Sequence, residues 1–133
     1  MNVFKCCVMG GNGSTSSGLT TTESGRRWKT VEVLPNGVKV IEFKKANTPL
    51  KIPEESRSPN SVYAMMDKKG RNLSRIAVYG ADSKKMVEVH TEDHHGISPH
   101  YHLWRDGRPV GSVKPLSDDS SLQRLFDETL SYL

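Results

Sequence analysis

Apolar and polar residues alternate along the middle of the chain, the pattern of strands half-buried in a sheet. Lys29 to Leu34 and Val38 to Phe43 flank Pro35-Asn36-Gly37, where Asn and Gly supply the backbone freedom of a tight turn, so a hairpin is predicted there. Ser61 to Asp67 and Asn72 to Tyr79 flank Lys68-Lys69-Gly70-Arg71 and predict a second hairpin with a basic tip. Gly80-Ala81-Asp82-Ser83 predicts a further turn before a strand over Lys84 to His90. Near the end the period changes: Leu122, Leu125, Phe126, Leu130 and Leu133 recur at helical spacing behind the capping run Ser117-Asp118-Asp119. That amphipathic helix needs a partner for its apolar stripe, and the sheet is the large surface on offer. The expected fold is α+β, a mostly antiparallel sheet of about six strands with one C-terminal helix packed on it.

Polar stretches set the boundaries. Between Gly10 and Gly25 the one large apolar residue is Leu19, too little to offset the entropy of ordering the segment. Residues 1–27 are therefore expected to form a flexible Gly/Ser/Thr-rich arm, and 28–133 a single domain. Its Gly-rich run lacks the Lys of a phosphate-binding loop, and its myristoylation-like Met9-Gly10 is internal; both are accidents of composition. Ala46 to Asn60, with Pro49, Pro53 and Pro59, reads as an irregular connection.

Composition narrows the classes. A chain of 133 residues, 35% hydrophobic and 26% charged, fits one modest core. Nineteen Lys and Arg against fifteen Asp and Glu give a net charge of +4, which favours an anionic partner without requiring one. Adjacent Cys6 and Cys7, the two cysteines, make no disulfide framework. No stretch approaches the roughly 18 to 20 apolar residues of a membrane span, and the first residues do not form a signal peptide. The expectation is a cytoplasmic protein with no membrane partner.

The chemistry is concentrated in one run. All five histidines fall in His90-Thr91-Glu92-Asp93-His94-His95-Gly96-Ile97-Ser98-Pro99-His100-Tyr101-His102. Alternation sorts them: if Val87, Val89, Tyr101 and Leu103 share the core face, then Met86, Glu88 and His90 fall on the opposite face, with His100, His102 and Trp104. A register setting His90 across from His100 would set Glu88 across from His102. The connecting loop adds Glu92, Asp93, His94 and His95 above that surface. Trp28 and Trp104 read as packing anchors, and Lys68, Lys69 and Arg71 as a solvated hairpin tip.

Two chemistries can use such a constellation. In the first, RNA is cleaved without metal: a neutral imidazole takes the ribose 2′-OH proton and an imidazolium protonates the leaving oxygen. His100 and His102 are then the principal catalytic pair and His90 a third candidate, with Arg75, His94, His95 and Arg105 as substrate contacts. Arg105 has the wrong parity for the histidine face and is the weaker of the two arginines. In the second, His-x-His on a strand presents two nitrogens to one side, and His90, His100, His102 and Glu88 ligate a divalent metal such as zinc. The first chemistry needs no cofactor; the second does.

The order Asp67-Lys68-Lys69-Gly70, Arg75 to Gly80, His94 to His102 and Asp106-Gly107-Arg108 resembles the C-terminal toxin domains of bacterial polymorphic toxin systems, whose closest members carry a D-x-x-G … R … G … H … P-H-x-H pattern. The resemblance spans Tyr63 to Val113, and Pro-His-x-His is its most specific element. It implies a ribonuclease, with Arg75, His94, His95, His100 and His102 as site residues and an immunity protein as partner. Those toxin domains end long secreted proteins, whereas this chain opens on Met1 without a trafficking module. Short relatives of that kind resemble proteins of phages and prophages, which implies the alternative of a non-enzymatic structural or interaction protein that binds RNA or a virion protein.

Overall fold

The computed structural model describes residues 20–21, 27–43, 51–94 and 96–133, with the backbone alone described at 20 and 21. Among them, seven strands of five to eight residues follow a two-residue strand. They are β1 (Thr20–Thr21), β2 (Arg27–Val33), β3 (Lys39–Phe43), β4 (Val62–Met66), β5 (Leu73–Tyr79), β6 (Lys85–His90), β7 (His100–Arg105) and β8 (Arg108–Pro115). They form one sheet in sequence order, antiparallel throughout except where β3 and β4 run parallel. A 3-10 turn (Leu116–Asp118) leads into α1 (Ser120–Tyr132). The α+β reading therefore holds, with more strands than the alternation pattern indicated. The extra long strand is β8, whose Arg108-Pro109-Val110-Gly111-Ser112-Val113 lacks a clean alternation and is mostly exposed.

Turn chemistry explains the hairpins. Leu34 and Val38 close the β2–β3 turn through backbone hydrogen bonds, and Gly37 takes a φ of 89°, a conformation that costs a residue with a Cβ. In the β4–β5 hairpin the Asp67 carboxylate accepts from the Arg71 N–H at 3.0 Å and the Asn72 side chain at 3.2 Å. Gly70 donates to the Asp67 carbonyl at a φ of 68°. The D-x-x-G element thus forms a turn. The β7–β8 turn is Asp106-Gly107, both at positive φ.

The connection 51–60 is what turns β3 back to lie parallel to β4. It crosses the face opposite the helix and is anchored there by the wholly buried Ile52. Its backbone takes hydrogen bonds from the Tyr79 hydroxyl (to Pro53) and from the Lys85 N–H (to Glu54), and Glu55 bridges Lys84. Thr20, Thr21 and Arg27 belong to the sheet although they lie within the 1–27 stretch expected to be an arm. Gly10 to Leu19, Cys6 and Cys7 lie outside the described residues.

Each face of the sheet has its own core. On one, Val40, Val62, Ala64, Ile76, Val78, Val89 and Tyr101 meet Leu116 and the helix residues Leu122, Leu125 and Phe126. The Asp119 side chain caps α1 by accepting from the Leu122 N–H at 3.0 Å. The buried stripe runs 122, 125, 126, 129, so Thr129 fills the place expected of Leu130, which is 45% exposed with Leu133. Thr129 satisfies its hydroxyl on the Leu125 carbonyl at 2.7 Å. Leu103, expected on this core face, is 39% exposed and lies outside the cluster. On the opposite face Trp28, Ile41, Tyr63, Met65, Ala77 and Tyr79 pack around Ile52, with Trp28 and Tyr63 edge to face at 5.0 Å, which makes Trp28 a packing anchor. Burial pushes the Tyr63 phenol up to about 12. It stays a neutral hydroxyl that accepts the Arg57 N–H at 2.8 Å. Among the described residues no helix is long and apolar enough to cross a membrane.

Ile52 ties the connection to this second core, so Ile52→Ala is expected to destabilise the protein by about 2–5 kcal/mol, the usual range for emptying a filled core position. The urea midpoint should fall with the slope of the transition unchanged; an unchanged midpoint would show that the connection does not close this face.

Candidate functional site

Over β2 to β5 the second face is mostly apolar, with the buried Lys39 its polar exception. Across β5, β6 and β7 it is polar, and the register explains why. Arg75 pairs with His90, and His90 with His100; one row along, Ala77 pairs with Glu88, and Glu88 with His102. Directly opposed residues share a face, so two strand rows deliver Arg75, Glu88 and three imidazoles to one patch. The pairing of His90 with His100 and of Glu88 with His102 is one of the registers that the parity allowed.

Lys85 was not anticipated there. Regular alternation from His90 assigns it to the helix face, but Val78 pairs with Val87 while Tyr79 pairs with Lys85, a bulge at Met86 that resets the alternation. Lys85 is buried, its ammonium 3.5 Å from Glu88, 3.2 Å from the Ile52 carbonyl and 4.0 Å above the Trp104 ring. Nothing in the local sequence signals the bulge, which lies next to the turn at Gly80 to Lys84, closed by the Gly80 N–H on the Lys84 carbonyl.

The imidazoles converge. Ring centres are 5.0 Å apart for His90 and His100, 4.8 Å for His90 and His102, and 5.1 Å for His100 and His102. One ring nitrogen from each lies within 4.8 Å of the other two. His94 joins from the loop, its ring 5.4 Å from His100 and 6.1 Å from His102. It is held by a small turn in which His94 and Ile97 exchange backbone hydrogen bonds and the Asp93 carboxylate accepts from Gly96 N–H at 3.0 Å. His95, expected in this loop, lies outside the described residues. Arg105 sits exposed at the end of β7 opposite Arg108 and enters none of these contacts, which leaves Arg75 as the arginine of the patch.

Charge on the patch is paired. Arg75 donates to Glu92 at 2.6 Å and to His90 Nε2 at 2.9 Å, and lies 3.9 Å from Glu88. An arginine can only donate, so His90 Nε2 accepts in this arrangement. Glu88 Oε2 is 3.3 Å from the same nitrogen, which would instead donate if His90 were protonated and Arg75 withdrew. Burial alone would raise the Glu88 carboxyl; His90, Lys85 and Arg75 outweigh it and hold the group below its ordinary range. Burial, with its neighbouring imidazoles, depresses His100 and pushes His102 down to about 4. The carbonyls of Glu92 and Ile97 offset part of the effect on His100, but neither meets a ring nitrogen in hydrogen-bond geometry.

Unmet hydrogen-bonding capacity gathers at the same place. Five buried side-chain atoms among the described residues lack a partner, and four of them are here: both ring nitrogens of His100, Arg75 Nε and Trp104 Nε1. His100 has no solvent exposure at all. A buried polar atom left unpaired costs about 1–3 kcal/mol, so a bound water or ion, or a catalytic role, is the usual reason one persists.

Searches of protein-family models, curated proteins and solved structures find no match to this chain. Fold and site together define an α+β domain with a four-histidine cluster on the sheet face away from its helix.

The depressed imidazoles set a pH dependence. Folded His100 and His102 bind protons less readily than the unfolded chain, whose histidines titrate near 6.5, so the stability they contribute is complete above that pH and is lost as pH falls toward about 4. Glu88 adds a loss of the same sign below its ordinary 4.5. The urea midpoint, measured with chelator present, should therefore drop between neutral pH and about 4, and drop less in His102→Gln. A midpoint indifferent to pH over that window would contradict the burial of these groups.

Proposed function

We propose that the protein is a divalent-transition-metal-binding domain in which His90, His100 and His102 hold the ion, zinc being the best chemical fit. One observation carries this reading: three imidazoles from two adjacent strands bring a nitrogen each within 4.8 Å, and the one at the bottom is fully buried with neither nitrogen engaged. Imidazole is a good ligand for zinc and its neighbours in the first transition row, and it binds in the neutral form that burial favours here. Bonds of about 2.0–2.1 Å would place tetrahedral nitrogens roughly 3.3 Å apart, so small side-chain rotations close the set. Glu92, 3.6 Å from His90 Nδ1, is the kind of outer carboxylate that orients a histidine ligating through its other nitrogen.

Arg75 is the obstacle within this reading. It occupies the lone pair of His90 Nε2 and places a positive charge beside the ion, so it must give up that hydrogen bond for His90 to ligate through the same nitrogen.

A second reading, RNA cleavage without metal, draws support from the asymmetry among the histidines and from the Pro-His-x-His resemblance. His102, pushed down to about 4, can accept a proton at neutral pH. His90 lies between Glu88 at 3.3 Å and Glu92 at 3.6 Å, so a carboxylate faces each of its ring nitrogens. The acid and base would then be His90 and His102, in place of the His100 and His102 pair expected from sequence, because burial depresses both members of that pair.

Protein stripped and titrated with zinc should take up one equivalent, by elemental analysis and calorimetry, and His100→Ala should lose it. Arg75→Met should bind zinc more tightly, by about ten-fold or 1.4 kcal/mol, because it frees a lone pair and removes a like charge. Absence of stoichiometric zinc, cobalt or nickel in calorimetry would end the metal reading. RNA cut to cyclic phosphate ends in chelator, and spared by His102→Ala, would replace it with the second.

A further inference from the structure

Taking the metal reading as its basis, we infer that the ion keeps one coordination position open on the His94 side, and that this position takes an oxyanion of the phosphate class. Among the described residues, three neighbouring donors come within ligand range of one another. Neither nearby carboxylate supplies the fourth. Glu88 is held by Lys85 at 3.5 Å, His90 at 3.3 Å and Arg75 at 3.9 Å, and Glu92 is held by Arg75 at 2.6 Å. The opening has a direction. His100 closes the bottom of the cluster, His90 and His102 are half-buried, and the exposed His94 stands on the solvent side with its ring 5.4 Å from His100.

Charge then selects the ligand. Three neutral imidazoles leave a divalent ion with its full double charge. Lys85 and Arg75 on one side and Glu88 and Glu92 on the other already cancel as paired groups. The loaded centre is therefore net positive in a partly desolvated patch, where an anion gains more than it would in water. A closed structural site would behave otherwise, because its fourth ligand comes from the protein. His94 fits the role of a donor to the bound oxyanion: its ring is beside the cluster, yet it is not one of the three whose nitrogens converge.

Cobalt(II) loaded into the stripped protein reports on this directly, since its visible absorption follows coordination number and ligand exchange. Inorganic phosphate should change the spectrum in a saturable way, and sodium chloride at equal ionic strength should not. His94→Ala should keep the phosphate-free cobalt spectrum and the fold, by circular dichroism, while responding to phosphate with several-fold weaker affinity. A spectrum indifferent to phosphate, together with a phosphate-free spectrum altered by His94→Ala, would overturn the inference in favour of a closed four-histidine site and leave the metal reading standing. Failure of cobalt to bind at all would instead remove the metal reading on which the inference rests.

Discussion

The ladder between β6 and β7 pairs His90 with His100 and Glu88 with His102, and the site depends on that register. Side chains reverse direction at every residue of a strand, so a slip by one position would carry both β7 histidines to the helix face and bring Tyr101 out of its core. Hydrophobic burial on the helix side therefore holds the chemistry on the other. Val89 and Tyr101, which are directly opposed, pack with Leu122, Leu125 and Phe126 and fix the register that delivers the imidazoles.

Charge is the second constraint. A glutamate and a lysine both buried on a sheet surface would be costly as isolated ions, and they persist because each meets the other and further partners. This arrangement separates the apolar half of the face, organised around Ile52 and Tyr63, from the histidine half. Lys85 stands at the boundary, one side toward the Ile52 carbonyl and the other toward Glu88.

Much of this was legible in the sequence, and the gaps have physical causes. Alternation placed His90, His100 and His102 on one face with Glu88 because β6 and β7 are regular where those residues lie. It missed Lys85 because a bulge changes the parity of everything beyond it and leaves no local mark. It overlooked β8 because an exposed edge strand carries Gly and Pro instead of a buried apolar row. It favoured Leu130 over Thr129 because hydrophobicity ranks them in that order, while the helix geometry buries position 129, where a threonine can satisfy its hydroxyl on its own backbone. The toxin-like pattern also divides once the fold is known: Asp67, Gly70, Gly80, Asp106 and Gly107 serve turns, and Arg75 with His94, His100 and His102 joins the patch.

The last strand has a consequence for how copies of this molecule meet. β8 ends the sheet, and an exposed sheet edge invites another chain to extend it. Pro109 and Pro115 have no N–H to offer, and Gly111 takes a φ of 74° between them, so the rim cannot present an unbroken row of donors to an incoming strand. An edge broken in this way is a poor template for copies stacking edge to edge beside the histidine patch.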